Sequence, residues 1–109
     1  MEKLIIEGKV GVLYSPDFGA GWYSWHRREE LLYHPTLVQM VENNQHEEIT
    51  EGLIAELLDI DEEDMPYISD SAIKDLVVAW LPVGTQFRID EYDGNESIII
   101  KEDEFWLTA

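Results

Sequence analysis

Cysteine is absent from this 109-residue sequence, and basic side chains are scarce, with seven Lys and Arg against 24 Asp and Glu. The lack of cysteine excludes disulfides, thiolate zinc sites and cysteine nucleophiles, and it fits a reducing compartment. No eighteen apolar residues occur in succession, so we expect no membrane-spanning helix. The N-terminal apolar run is interrupted by Glu7, Gly8 and Lys9 and is too short for a signal peptide. These absences predict a cytoplasmic protein.

Apolar residues are nevertheless plentiful. Hydrophobic side chains make up 45% of the chain and aromatic ones 11%, which predicts a folded core and not a disordered chain. The length suits one domain over residues 1–109, and the sequence contains no linker or internal repeat.

The first two thirds of the chain alternate between strand and helix patterns. Residues 4–6 and 10–14 are apolar, and we favour one strand bent at Gly8 over a tight hairpin. A helix is predicted from Pro35 to the Asn43-Asn44 pair, because proline suits the first helical position. A second helix is predicted within residues 46–60, where apolar residues recur at helical spacing and Glu47 and Glu48 lie near its start. A single turn through Lys74, capped within Ser69-Asp70-Ser71, is expected to follow.

The last third has the pattern of an antiparallel meander. A continuous apolar strand over residues 76–81 is expected to be buried on both faces. Residues 85–92 and 97–101 then flank Asp93-Gly94, a strong hairpin signal, and a last short strand is predicted at 104–108. The order predicts an α+β fold: an antiparallel sheet of four or five strands with two or three helices packed on one face. The predicted sheet core is Val10, Val12, Val77, Trp80, Phe87, Ile89, Ile98 and Ile100.

The loop LYSPDFGAGWYSWHRR, residues 13–28, is the first candidate site. It combines glycines, aromatic rings and the only adjacent cationic residues of the chain. Arginines can fork onto an anion and aromatic rings can stack on a base, although the two glycines match no known phosphate-loop pattern. The alternative is a packed corner, in which the tryptophans are core anchors and the arginines pair with Glu29 and Glu30. The candidate ligand-binding residues are Gly19, Gly21, Trp22, Trp25, His26, Arg27 and Arg28.

Catalysis and metal binding find little support in the sequence. His26 is the one histidine with candidate acid–base partners, Asp17 and Tyr23, but no nucleophile accompanies it. The alternating carboxylates of residues 59–64 lack the glycine and the closing glutamate of a calcium loop, and those of residues 90–96 are explained by the hairpin. We therefore predict a non-enzymatic protein with no metal and no cofactor.

Charge is distributed very unevenly along the chain. Residues 1–34 carry four basic and five acidic side chains, whereas residues 35–109 carry three basic and nineteen acidic ones. The net charge of −17 disfavours direct binding to nucleic acid or to an anionic membrane and favours a basic protein partner. The alternative is that the charge only keeps a small protein soluble. The candidate partner-binding residues are Glu47, Glu48, Glu51, Asp61, Glu62, Glu63 and Asp64.

Two segments, VLYSPDFGAGWYSW and GTQFRIDEYDGNESI, together resemble small hypothetical proteins of phage and bacterial genomes. That group has a strand followed by G-x-G-W and a hairpin ending in E-Y-D-G-x-E. The resemblance covers most of the chain and implies no activity, ligand or catalytic residue. It implies a phage or mobile-element setting, hence the host cytoplasm, and a role in the fold or its site for Gly19, Gly21, Trp22, Tyr92, Asp93, Gly94 and Glu96.

The sequence therefore predicts a small acidic accessory protein that binds a basic, nucleic-acid-handling or defence protein as an inhibitor or nucleic-acid mimic. The alternative is a module that binds a nucleotide-like anion through residues 15–28. An enzyme using His26 is the third option. The oligomeric state is left open, with a homodimer among the options.

Overall fold

A computed structural model describes residues 2–16 and 21–101. Within these ranges the chain forms five strands, four α-helices and two 3₁₀ helices, which confirms the α+β prediction. The strand predicted at residues 104–108 lies outside the described residues. No helix among the described residues is both long and apolar enough to cross a membrane.

The first sheet has three antiparallel strands in the order β1 (Ile5–Ile6), β2 (Lys9–Tyr14) and β3 (Val77–Pro82). The expected single bent strand at the N-terminus is wrong, because β1 and β2 form a tight hairpin. Glu7 and Gly8, at its turn, both have positive φ, at 53° and 78°. Two positive φ values in succession give the turn whose twist matches a two-residue hairpin.

The second sheet is the hairpin of β4 (Phe87–Tyr92) and β5 (Asn95–Ile100). Its turn at Asp93-Gly94 is as predicted, with φ values of 52° and 86°. The strands of the described residues thus belong to two sheets of three and two strands, and not to one sheet of four or five. A hydrogen bond from the Glu96 N–H to the Ser15 carbonyl, at 2.8 Å, joins the hairpin to the end of β2.

The helices lie between β2 and β3 in the sequence. They are α1 (Glu30–Tyr33), α2 (Pro35–Glu42), α3 (Glu51–Leu58) and α4 (Asp70–Lys74), one more than the two or three predicted. Helix α2 begins at Pro35, as expected, and it packs on β2 and β3. Ser69 caps α4 through its hydroxyl, which accepts from the Ala72 N–H at 3.1 Å.

The predicted start of the second long helix requires a correction. Glu47 and Glu48 form a separate 3₁₀ helix, His46–Glu48, and α3 begins only after Thr50. The Thr50 hydroxyl accepts from the Leu53 N–H at 3.1 Å and so caps α3. The two glutamates therefore do not lie in the first turn of α3.

The main core lies between the first sheet and the helices, and it includes Leu13, Trp22, Leu37, Ile54 and Leu76. A smaller cluster under the second sheet contains the predicted core residues Val10, Val12, Phe87, Ile89, Ile98 and Ile100, and Trp80 packs on the main core. Val77 is the exception. It is 37% exposed, so β3 is not buried on both faces, contrary to the prediction from its unbroken apolar run.

Candidate functional site

Glu96 is the centre of the aromatic loop region. It is the second residue of β5, and its side chain is 1% exposed. Its carboxylate accepts three backbone hydrogen bonds, from the N–H groups of Ser15 at 2.9 Å, Tyr23 at 2.8 Å and Ser24 at 2.7 Å. A buried carboxylate needs such donors to offset the loss of water. Glu96 therefore holds both ends of the loop against the second sheet.

Glu91 lies directly opposite Glu96 in the hairpin register but faces solvent. One of its oxygens accepts from the Gly94 N–H at 2.7 Å and from the Trp25 indole N–H at 3.1 Å. These donors hold the pKa of the Glu91 carboxyl below its ordinary value, the Gly94 bond having the larger effect. Two carboxylates directly opposite each other are unfavourable unless each has its own donors, and here each does.

The two segments on which the family resemblance rests thus touch each other. Glu96 and Glu91 of the E-Y-D-G-x-E hairpin bind the segment after G-x-G-W through Tyr23, Ser24 and Trp25. The contacts join residues more than sixty positions apart in the sequence. In this chain the two segments therefore form one structural unit.

Trp22 belongs to the core, which corrects its expected role as a stacking surface. Its side chain has 0% exposure, and its indole N–H donates to the Leu31 carbonyl at 2.7 Å. No ring face is left for a ligand. Gly21 before it has a φ of 85°, and a Cβ there would lie 2.6 Å from the Trp25 ring. Both residues are buried and shape the loop, while Gly19 lies outside the described residues.

His26 uses both ring nitrogens within the loop. Its Nδ1 accepts from the Arg28 N–H at 3.0 Å, so the proton is assigned to Nε2, which donates to the Trp22 carbonyl at 2.7 Å. Burial lowers the pKa of His26, and the bond to the Trp22 carbonyl opposes that change only in part. The neutral ring is thereby committed to holding the turn. Asp17, its expected acid–base partner, lies outside the described residues.

The two adjacent arginines have different surroundings. Arg28 forms a loose ion pair with Glu30, 3.7 Å between Nε and Oε2, as the packed-corner alternative predicted. Arg27 is exposed and forms no ion pair with any residue in 2–16 or 21–101. It lines an open groove between the loop and β4, together with Tyr23, Ser24 and residues 87–91.

Trp25 keeps part of the surface that a ligand would require. Its side chain is 48% exposed, but one ring face lies against Gly21 and its N–H is bonded to Glu91. Of the expected ligand-binding residues in the described chain, Arg27 and Trp25 are exposed, and Arg28 keeps 32% of its side chain exposed beside Glu30.

The expected partner-binding residues are all on the surface. Glu47 and Glu48 lie in one 3₁₀ helix, Glu51 opens α3, and a second 3₁₀ helix, Glu62–Asp64, carries most of the others. These residues, hereafter the acidic surface, are all exposed: Glu47, Glu48, Glu51, Asp61, Glu62, Glu63 and Asp64. In the described part of the chain no three of His, Cys, Asp and Glu are grouped so that they could hold a metal ion.

No sequence pattern predicts a role for Ser24 or Arg88, and Glu96 is expected only through the resemblance. A signal for Glu96 was present, since alternate residues of a strand share a face. Ile98 and Ile100 were predicted to face the core, and Glu96 lies on the same side. A carboxylate at such a position implies buried donors. No comparable signal marks Ser24.

Comparison of the chain with protein-family models, with curated protein sequences and with solved structures returns no match.

Proposed function

We propose that this protein is a non-enzymatic accessory protein that binds a basic protein partner through the acidic surface. The partner would be a nucleic-acid-handling or defence protein, and the bound protein would occupy its nucleic-acid groove as an inhibitor. The resemblance to phage and bacterial proteins favours a phage or mobile-element setting, with binding in the host cytoplasm.

The observation that carries the proposal is the separation of charge within the fold. Residues 35–75 contain twelve acidic side chains and one basic one, Lys74, and eleven of the twelve are exposed. The remaining six basic side chains lie outside this segment. A field of one sign over one part of a molecule steers a partner of opposite charge and speeds its association.

The carboxylates of the acidic surface are displayed on ordered elements. The second 3₁₀ helix packs against α3. A Cβ on Gly52 would lie 3.0 Å from a carboxylate oxygen of Glu62, so glycine allows this close approach. The approach brings Glu62 alongside the first turn of α3, which begins with Glu51. Fixed anions at short spacing can replace phosphates in a basic groove, and they release the same counterions.

An exposed tyrosine adjoins the acidic surface. Tyr67 is 72% exposed and follows the second 3₁₀ helix by three residues. Interfaces concentrate their binding energy in a few aromatic and arginine anchors, which a charged surface lacks. Tyr67 is therefore the proposed anchor at the edge of the acidic surface.

The test is a charge reversal with a matched control. In the test variant, Glu47, Glu48 and Glu51 are changed together to lysine. In the control variant, three exposed glutamates outside residues 35–75 are changed to lysine in the same way: Glu2, Glu7 and Glu29. Both variants gain the same net charge. Each protein is immobilised and incubated with host lysate at low salt. The captured proteins are then eluted with a short DNA duplex and quantified.

We expect the wild type and the control to retain proteins that DNA displaces and that high salt releases, and the variant at residues 47, 48 and 51 to lose them. Equal capture by the two variants at low salt would overturn the proposal. A partner that duplex DNA does not displace would exclude nucleic-acid mimicry.

The alternative of a nucleotide-like ligand in the loop is less well supported. It requires two tryptophans to stack on a base, and Trp22 has no exposed surface. It also requires Arg28, whose nearest anion is Glu30.

A further inference from the structure

The groove between the aromatic loop and β4 has the size of a small-molecule site. Its volume is about 550 Å³, and it is lined by Tyr23, Ser24 and Arg27 on one side and residues 87–91 on the other. Small-molecule sites span roughly 300 to 1,000 Å³. None of the residues that line the groove belongs to the acidic surface, and nothing in the proposed function uses the groove.

Arg27 has a backbone conformation that its residue type does not favour. Its φ is 60°, and its N–H bonds to the Tyr23 carbonyl at 2.7 Å, which closes the turn. Glycine or asparagine usually occupies such a left-handed position at the end of a turn. Arg27 forms no ion pair with a described residue that would offset this unfavourable backbone conformation. Positions that break a local rule without compensation often serve function.

The remaining charged groups of the groove already have partners. Arg88 is bonded to Asp90 at 2.9 Å between Nε and Oδ1, and Glu91 accepts from Trp25 and Gly94. What remains exposed and uncommitted among these lining residues is the Arg27 guanidinium, which can donate to an anion.

The other side chains that line the groove indicate the chemistry of the rest of the ligand. Tyr23, Phe87 and Ile89 contribute apolar surface to the same groove. Asp90 and Glu91 on its wall, in a protein of net charge −17, repel a ligand with more than one negative charge. A single carboxylate on an apolar body satisfies both conditions.

We propose that this groove binds a small organic monocarboxylate, whose carboxylate pairs with the Arg27 guanidinium and whose apolar body lies on Tyr23, Phe87 and Ile89. Arginine suits this role because its planar fork matches a carboxylate with two parallel hydrogen bonds.

The probe is 3-phenylpropionate, followed by the ¹H–¹⁵N NMR spectrum of the full chain. Saturable shifts are expected at the amides of residues 23–28 and 87–91, with a dissociation constant on the order of 1 mM for a ligand of this size. The neutral 3-phenylpropionamide and the doubly charged phenyl phosphate are expected to bind at least tenfold more weakly.

Variants separate binding from folding. Arg27→Gln is expected to weaken binding of 3-phenylpropionate at least tenfold, whereas Lys74→Gln, with the same loss of charge outside the groove, leaves it unchanged. Arg27→Gly is expected to weaken binding while raising the denaturation midpoint, since it relieves an unfavourable backbone conformation. A purely structural role for the Arg27 side chain would instead lower that midpoint on substitution.

Several results would overturn the proposal. They are the absence of saturable shifts with 3-phenylpropionate, equal binding of the carboxamide, tighter binding of phenyl phosphate, and wild-type affinity in Arg27→Gln. Because none of these measurements involves the acidic surface, their failure leaves the proposed binding of a basic partner untouched, and the reverse also holds.

Discussion

Glutamates have opposite surroundings in two regions of this protein. In the aromatic loop region, Glu96 is 1% exposed and its carboxylate receives three backbone N–H groups. On the acidic surface, Glu47, Glu48 and Glu51 are exposed to water. Composition counts all four as one negative charge each. The contacts show that Glu96 joins the loop to the second sheet, while the other three face solvent.

The largest expected effect comes from removing the buried carboxylate. Glu96→Gln retains the shape but places an NH₂ group where the backbone donates, so one or more buried N–H groups lose their acceptor. We expect the free energy of unfolding to fall by about 2 to 4 kcal/mol, measured by urea denaturation. Glu48→Gln is the matched control on the acidic surface and should unfold at nearly the wild-type midpoint. Similar losses in both variants would contradict the distinction between the two regions.

The two tryptophans of the loop extend the comparison to side chains of one type. Trp22→Phe removes core volume and leaves the Leu31 carbonyl without its donor, which should cost about 2 to 3 kcal/mol. Trp25→Phe should cost less than about 1 kcal/mol, because Trp25 is 48% exposed. Iodide quenching of the fluorescence of the single variants provides a second readout: Trp22 should be shielded and Trp25 accessible.

A structural feature of this protein can be predicted from the sequence when the residues that form it lie close together in the chain. The start of α2 at Pro35, the cap within Ser69-Asp70-Ser71 and the turn at Asp93-Gly94 rest on local chemistry, and the structure confirms them. Glu96 and Ser15 are 81 residues apart, and no local pattern joins them.

The wrong predictions have physical reasons of the same kind. Glu7-Gly8 is a weaker turn signal than Asp93-Gly94, so the sequence favours a bent strand where a hairpin forms. The cap at Thr50 follows Glu47 and Glu48, so the apolar spacing of residues 46–60 predicts too early a start for α3. The burial of Trp22 and the exposure of Trp25 depend on tertiary packing, which neither spacing nor residue type reveals.

The pH dependence of stability tests the structural role of His26. Its pKa is lowered in the folded protein, so the unfolded chain binds a proton more readily. The stabilisation is therefore fully present above the ordinary pKa of 6.5 and is lost as pH falls from there towards the lower folded pKa. Glu91, whose pKa is also lowered, adds a further loss below its ordinary value of 4.5.

In the wild type, the free energy of unfolding should decrease as the pH is lowered from about 7 to about 5. In His26→Gln it should change less over the same range. An unchanged slope in the variant would show that the ring is not held in its neutral form by the loop.

The smallest effect on the free energy of unfolding is expected at Gly52, beside the acidic surface. Gly52 lies inside α3 without a positive φ, so alanine there should raise the free energy of unfolding by about 0.5 to 1 kcal/mol. The neighbour that must move is the far end of the exposed Glu62 side chain, which can rotate away. Destabilisation by Gly52→Ala would instead show that the contact with Glu62 fixes the position of the second 3₁₀ helix.

The most direct test of the central claim, that one buried carboxylate holds the aromatic loop against the second sheet, is amide hydrogen exchange in the wild-type protein. Three amides donate to Glu96, those of Ser15, Tyr23 and Ser24. The account predicts that all three exchange far more slowly than exposed loop amides, and that Glu96→Gln accelerates them together. Exchange of these three amides at the rate of unprotected backbone would contradict it.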